Sequence, residues 1–416
     1  MKKILTLFFG SILVLLSFTV KGQKDCSKPL TGWTPLIDFE TGESFMGFSG
    51  GLYGNNSNGK PDQYRADALQ IAQQVEPLNA IGEIDPNGII GFMAVGASNP
   101  RTEFNAFTSI AKTQPSIHAS LRWINSCIGG QGIQKMNQVS DNYWIQTYKL
   151  LDSLGISPQQ IQIIWIETEN TGNGNTKFPE AAEELADEYL VLLKTIRQLF
   201  PQVKICYLAA RAYAGYATAV AGGTGKGLLT PRDYYNGWAI RFLMDKITSK
   251  LPGYYYKGAN ADIPFTTWGN YSWSDGDIAR KDGFFLDCQT DVGSDGLHLS
   301  MAGEQKIGQL MFNFFASEET AQPWLFEPIT NTLNESRDSL EIVISGLVSS
   351  SGHLNYFSKQ QYTKAILINS MGKLIGVYTL DSNPSIPLTG LNAGMYWIRF
   401  FHPDSGWSLA IPFVRG

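Results

Sequence analysis

Ile89-Ile90-Gly91-Phe92-Met93-Ala94-Val95, closed by the turn Gly96-Ala97-Ser98-Asn99, decides the fold. A short apolar run without polar alternation reads as a strand buried on both faces, as in parallel sheets. Residues 117–124, 160–166 and 203–209 read as three more strands. Helical spacing fills the gaps at 141–154 and 179–200. The second helix begins with Glu183, Glu184 and Asp187, carries Lys194 and Arg197 late, and stops before Pro201. That arrangement suits the helix dipole and a proline stop. Strands alternating with helices imply an α/β fold, a parallel sheet flanked by helices. Ligands of such sheets bind beyond the carboxyl ends of the strands. The residues after each strand are therefore the place to look for chemistry.

The first strand is followed by Ser98, the second by Gly129-Gly130-Gln131-Gly132, and the third by Glu167-Thr168-Glu169-Asn170. Asp295-Gly296-Leu297-His298 comes near the end of the same region. Each alone is a turn; together they supply the parts of acyl transfer. A serine hydroxyl is a weak nucleophile and needs a base. His298 can take its proton, and Asp295 can fix the imidazole tautomer and stabilise the imidazolium. The oxyanion needs donors, and losing one costs about 10²–10³ in rate. The Gly130 N–H and the Asn170 amide are candidates, with the Ser98 N–H a third. Of four histidines, His353 and His402 fall in the C-terminal region, and His118 sits at the start of the second strand, away from the expected site. The glycine-rich stretch lacks the GxxxxGK[ST] pattern of a phosphate loop.

The order Ser98, Gly130, Asn170, then Asp295-x-x-His298 resembles the SGNH (GDSL) hydrolase superfamily over most of residues 31–325. The resemblance implies an SGNH-type parallel sheet and a cofactor-free serine esterase. Ser98, His298 and Asp295 would be catalytic, and Gly130 and Asn170 would form the oxyanion hole. Ala97 stands where the family often has Asp, and the third block lacks the usual flanking Gly and Asp. Arg211 and Tyr213, after the fourth strand, are candidate contacts to a sugar or a substrate carboxylate, or part of a surface loop. Trp268, Tyr271 and Trp273 read as loop aromatics that cover the core or form a sugar platform. A carbohydrate-binding protein on a degenerate fold is the competing reading. A metal site using Asp295 and His298 is weaker, because no second histidine is near.

Lys2 and Lys3, the apolar run 4–20 and the small residue Gly22 read as a secretory signal peptide over residues 1–22. Its removal takes away Lys2, Lys3 and Lys21 and no acid, so the formal charge of −5 becomes −8. An acidic chain without a basic run is a poor nucleic-acid binder. The resemblances, to the hydrolases above and to a sorting domain below, imply as partners a small-molecule or glycan ester and, through the C-terminal region, the export machinery. Four cysteines without CxxC spacing give no zinc signature and no readable pairing. Cys127 and Cys206, at or near apolar runs, read as buried thiols. The hydrolase-like domain is expected over 23–327, with a polar linker at 328–336. Residues 337–416 read as a small all-β sandwich. Leu388-x-Gly390-Leu391-x-x-Gly394-x-Tyr396 resembles the C-terminal sorting domain of type IX secretion, which implies a secreted or surface protein.

Overall fold

A computed structural model describes residues 23–218, 225–327 and the strand segments between 342 and 415. The expected signal peptide and the 328–336 linker lie outside the described residues. A five-stranded parallel sheet forms the centre of the larger region. Its strands are β1 (Ile90–Gly96), β2 (Leu121–Asn125), β3 (Ile161–Glu167), β4 (Ile205–Ala210) and β5 (Phe265–Tyr271), in the order β2-β1-β3-β4-β5. Every residue of β1 and β3 is buried, as two-sided burial of a central strand requires.

Among the described residues the longer helices beside the sheet are α1 (Asp62–Ala72), α2 (Ser98–Ala111), α3 (Asn142–Ser153), α4 (Glu180–Leu199), α5 (Arg232–Thr248) and α6 (Met301–Ser317), with a single turn at Gln322–Leu325 after them. Helix α2 packs against α6, and α4 against α5. Phe92 of β1 anchors the α2–α6 side, with ring centroids 5.4 Å from Phe104, 5.3 Å from Phe315 and 5.2 Å from Trp324. Edge-on pairs of this kind add about 0.5–1.5 kcal/mol each to the burial of the rings.

Several boundaries differ from the sequence reading. Strand β2 starts at Leu121 and not at 117, because the preceding segment is held elsewhere. Ile117 bridges Phe326, and the His118 N–H donates to the Leu325 carbonyl at 2.9 Å. Helix α1 precedes the sheet, outside the two stretches where helical spacing is read from the sequence. Trp268 and Tyr271 belong to the buried strand β5 and are not loop aromatics.

The C-terminal residues form antiparallel β structure with one parallel edge pair. Strands Ile342–Ile344, His353–Ser358 and Ser385–Pro387 make one sheet. Lys364–Asn369, Leu374–Thr379, Gly394–His402 and Ile411–Arg415 are the longer strands of the other. Leu354 and Ile386 of the first share a core with Leu367, Ile398, Phe400 and Phe413 of the second.

Cys26 and Cys288 form a disulfide across 262 positions of sequence, while Cys127 and Cys206 are free and buried. A cross-link over so long a loop restricts the unfolded chain strongly, and native disulfides typically contribute about 2–4 kcal/mol. The double variant Cys26→Ser/Cys288→Ser should therefore unfold at lower urea, by about 2–4 kcal/mol. A midpoint equal to that of the oxidised parent would show that the bond adds no stability.

Candidate active site

Only Ala97 separates strand β1 from helix α2, so Ser98 is the first helical residue, at the carboxyl end of the sheet. No side chain caps this helix. The first N–H groups of a helix lack internal partners and carry the positive end of the dipole. The Ser98 and Asn99 N–H groups are thus available to a developing anion.

Ser98 Oγ lies 2.8 Å from His298 Nε2. His298 Nδ1 lies 2.6 Å from Asp295 Oδ2. The other carboxylate oxygen, Oδ1, accepts from the backbone N–H groups of Leu297 at 3.0 Å and His298 at 2.9 Å. Partial burial would raise the Asp295 carboxyl, but the hydrogen bonds from His298 and Leu297 outweigh it and hold the group below its usual range. Asp295 accepts from Nδ1, so Nε2 is left as the acceptor toward Ser98.

The loop carrying Asp295 and His298 is fastened from several sides. Asn99, beside the serine, donates through Nδ2 to the Leu297 carbonyl at 3.1 Å. An N-terminal strap, joined by the Cys26–Cys288 bond, runs along the loop. The Lys24 N–H donates to the Ser294 carbonyl at 2.9 Å. Lys24 Nζ donates to the carbonyls of Cys288 and Val292, each at 2.9 Å. Downstream, Ser300 caps helix α6 by accepting from the Gly303 N–H at 3.2 Å. The strap and Asn99 escaped the sequence reading. A pair of unassigned cysteines, one near each end of the domain, was the only signal for the strap.

The hydroxyl of Ser98 opens on a cavity of about 60 Å³ lined by Gly130, Glu167, Thr168, Glu169, Thr171, Arg211, Leu228 and His298, among others. Gly130 holds a left-handed backbone at φ +72°, and its N–H makes no hydrogen bond among the described residues. Arg211 reaches the cavity wall while buried, donating weakly to the Leu228 carbonyl at 3.4 Å.

Two expected residues are placed elsewhere. Asn170 does not line the cavity: its Nδ2 donates to Glu188 at 2.5 Å, and its Oδ1 accepts from the N–H groups of Gly172 and Asn173, each at 3.1 Å. Glu169 turns inward to a fully buried ion pair with Arg232, while Asn170 is held in the turn that follows by Glu188 of α4 and the N–H groups of Gly172 and Asn173. Tyr213 is also outside the cavity, packed edge-on against Tyr216 at 4.9 Å and near Trp273 at 5.9 Å. Trp273 itself is fully buried, with Nε1 donating to Asp233 at 3.1 Å.

No protein-family profile matches this chain, and no curated protein matches it. Similar solved structures include a protein from Arabidopsis thaliana at 13% identity, spanning 51% of this chain and 67% of that one, with a TM-score of 0.26. A protein from Slackia heliotrinireducens provisionally assigned to the SGNH hydrolases is 10% identical, over 55% of this chain and 99% of its own, with a TM-score of 0.30. The Bacillus subtilis protein YxiM is 11% identical over 56% of this chain and 57% of its own, with a TM-score of 0.32. Likenesses this distant carry no argument about the site, which stands on its own geometry.

Gly296 gives that geometry a sharp test. It has φ +77°, and an added Cβ would lie 2.6 Å from the Tyr216 carbonyl oxygen and 2.7 Å from Ala217. Gly296→Ala should therefore push the Asp295–His298 turn off its seat. Reaction of Ser98 with a fluorophosphonate should slow by about 10²-fold, as expected for a misplacement near 1 Å. Labelling at the parental rate would show that the turn tolerates the shift.

Proposed function

We propose that this chain is an exported serine esterase acting on a small acyl ester, with Ser98 as nucleophile. The observation that carries the reading is the continuous relay from Ser98 Oγ to His298 Nε2 at 2.8 Å and from His298 Nδ1 to Asp295 at 2.6 Å. His298 Nε2 removes the Ser98 proton as Oγ attacks the acyl carbon. The Ser98 and Gly130 N–H groups receive the oxyanion. His298 then returns the proton to the leaving alkoxide, which departs as the alcohol. Water, deprotonated by the same nitrogen, releases the acid from the acyl-enzyme and restores Ser98.

A cavity of about 60 Å³ supports an acyl group of a few atoms, acetyl above all. Export rests on the signal-peptide pattern of residues 1–22, and delivery to the surface on the resemblance of the C-terminal strands to a sorting domain. A glycan ester suits that location. The diverted side chain of Asn170 favours a second reading, in which the fold binds glycan without turnover.

Fluorophosphonate treatment of the mature protein separates the two. The esterase reading expects stoichiometric modification mapped to Ser98, absent in Ser98→Ala, together with loss of p-nitrophenyl acetate hydrolysis by at least about 10³-fold. An unlabelled parent that retains glycan would establish the binding protein instead. For export, the N-terminus of the secreted chain should be Gln23; an intact Met1 at the surface would refute cleavage after Gly22.

A further inference from the structure

Beneath Ser98, the side chains of Glu103 and Glu167 meet. Glu103 comes from α2, five positions after the serine, and is fully buried. Glu167 ends β3, directly across from Gly96 in the sheet register, is buried, and is one of the residues that line the Ser98 cavity. Both oxygens of Glu103 and Oε2 of Glu167 lack any conventional hydrogen-bond donor. Neither carboxyl forms an ion pair among the described residues. Each has the other as its partner.

Two ionised carboxylates cannot share such a site. Charges in contact away from water repel by several kcal/mol, and buried groups protonate rather than stay charged. Arg211 is the cation that faces both; Glu304 of α6, Cys127 after β2 and Tyr189 of α4 are the other titratable groups around them. Burial pushes both carboxyls above the usual range. Glu103 is driven further, because it also meets the charge of Glu167, whereas Glu167 is relieved by the hydrogen bond from Glu103 and by Arg211. Glu103 therefore keeps its proton and, through it, donates a hydrogen bond to Glu167.

We propose that Glu167 acts in its protonated form as a hydrogen-bond donor to the acyl oxygen in the Ser98 cavity, backed by the Glu103 hydroxyl. The proposal rests on the esterase reading. It fills a gap in that reading, since Asn170 is turned away and Glu167, with Thr168, Glu169, Thr171 and Arg211, is among the residues that line the cavity. A carboxylic acid held neutral in an apolar setting can serve as an oxyanion donor. Loss of the Glu167 proton would place negative charge where the oxyanion forms, so reaction should slow as pH rises through the titration of Glu167.

The test compares Glu167→Gln and Glu167→Ala with the parent across pH, using the rate of fluorophosphonate labelling at Ser98, with thermal melts to confirm folding. Gln keeps a donor and cannot ionise. It should label within about tenfold of the parent at acidic pH and lose the alkaline decline; Ala should be slower by about 10²-fold throughout. An alkaline decline that persists in Glu167→Gln, or parental labelling of Glu167→Ala, would overturn the proposal. Infrared difference spectra report the proton without activity. A protonated carboxyl C=O band at neutral pH should be present in the parent and missing from Glu103→Gln/Glu167→Gln, and its absence from the parent would also overturn the proposal. A parent that neither labels nor hydrolyses ester would remove the esterase reading and the donor role with it, while the infrared band would separately report whether the carboxyl pair holds its proton.

Discussion

A Cβ at Gly96 would lie 2.3 Å from the Glu167 carbonyl oxygen and 2.5 Å from Pro100. Neither backbone nor proline ring can yield that space, so the position admits only glycine. The close approach lets β1 run against β3 and turn into α2 within one residue. Everything at the site follows from that turn. Ser98 falls at the first helical position, its N–H without a hydrogen bond among the described residues, Glu103 is carried on the same helix onto Glu167, and Asn99 reaches across to the histidine loop.

The second half of the relay comes from 200 residues further along the chain. Sheet register cannot position it, because residues 291–298 belong to no strand. Fixing a loop in one geometry costs about 1–2 kcal/mol per residue in backbone entropy. Here the cost is offset by many separate fastenings: the disulfide, the carbonyl contacts of Lys24, the Asn99–Leu297 bond, and the cap of α6 by Ser300. The N-terminal strap thus belongs to the functional architecture as much as the strands do.

The central strands were legible because β1 carries no polar side chain and β3 is apolar apart from Gln162 and Glu167, so each declares itself without a partner. Strand β5 was not. Thr267, Asn270 and the glycine between them read as a loop, yet they are buried because neighbours satisfy them. Thr267 Oγ1 meets the Tyr53 hydroxyl at 2.7 Å, and Asn270 accepts from Trp165 Nε1 at 2.9 Å. Such pairings join residues far apart in sequence and leave no local pattern. Ser98, Asp295 and His298 were readable from spacing and order, and the structure brings them together. Asn170 shows the limit of order as a guide. It arrives at the right place in the chain, but Glu188 and the N–H groups of Gly172 and Asn173, beside the Glu169–Arg232 pair, hold its amide away from the cavity. Glu103 gave no signal, since nothing in α2 alone reveals that Glu167 stands opposite.

Charge beneath and beside the serine pulls in opposite directions with pH. Asp295 is held below its usual range, so its contribution to stability is present above the unfolded value of about 3.9 and is lost as pH falls through the folded one. Glu103, Glu167 and Asp233 are raised, chiefly by burial. The folded state then binds protons that the unfolded state releases. Their cost is absent below about pH 4.3 and grows as pH rises toward the folded values. Glu169 is raised by burial as well, but its pairing with Arg232 makes it the carboxyl whose charge has a partner in contact. Breaking such a pair by removing one member costs about 3–5 kcal/mol. The loop after β3 is therefore fixed by a charged pair, and the floor of the cavity by an uncharged one. The Asp295–His298 loop favours higher pH and the cavity floor lower pH, so the intact site is confined to a window between the two.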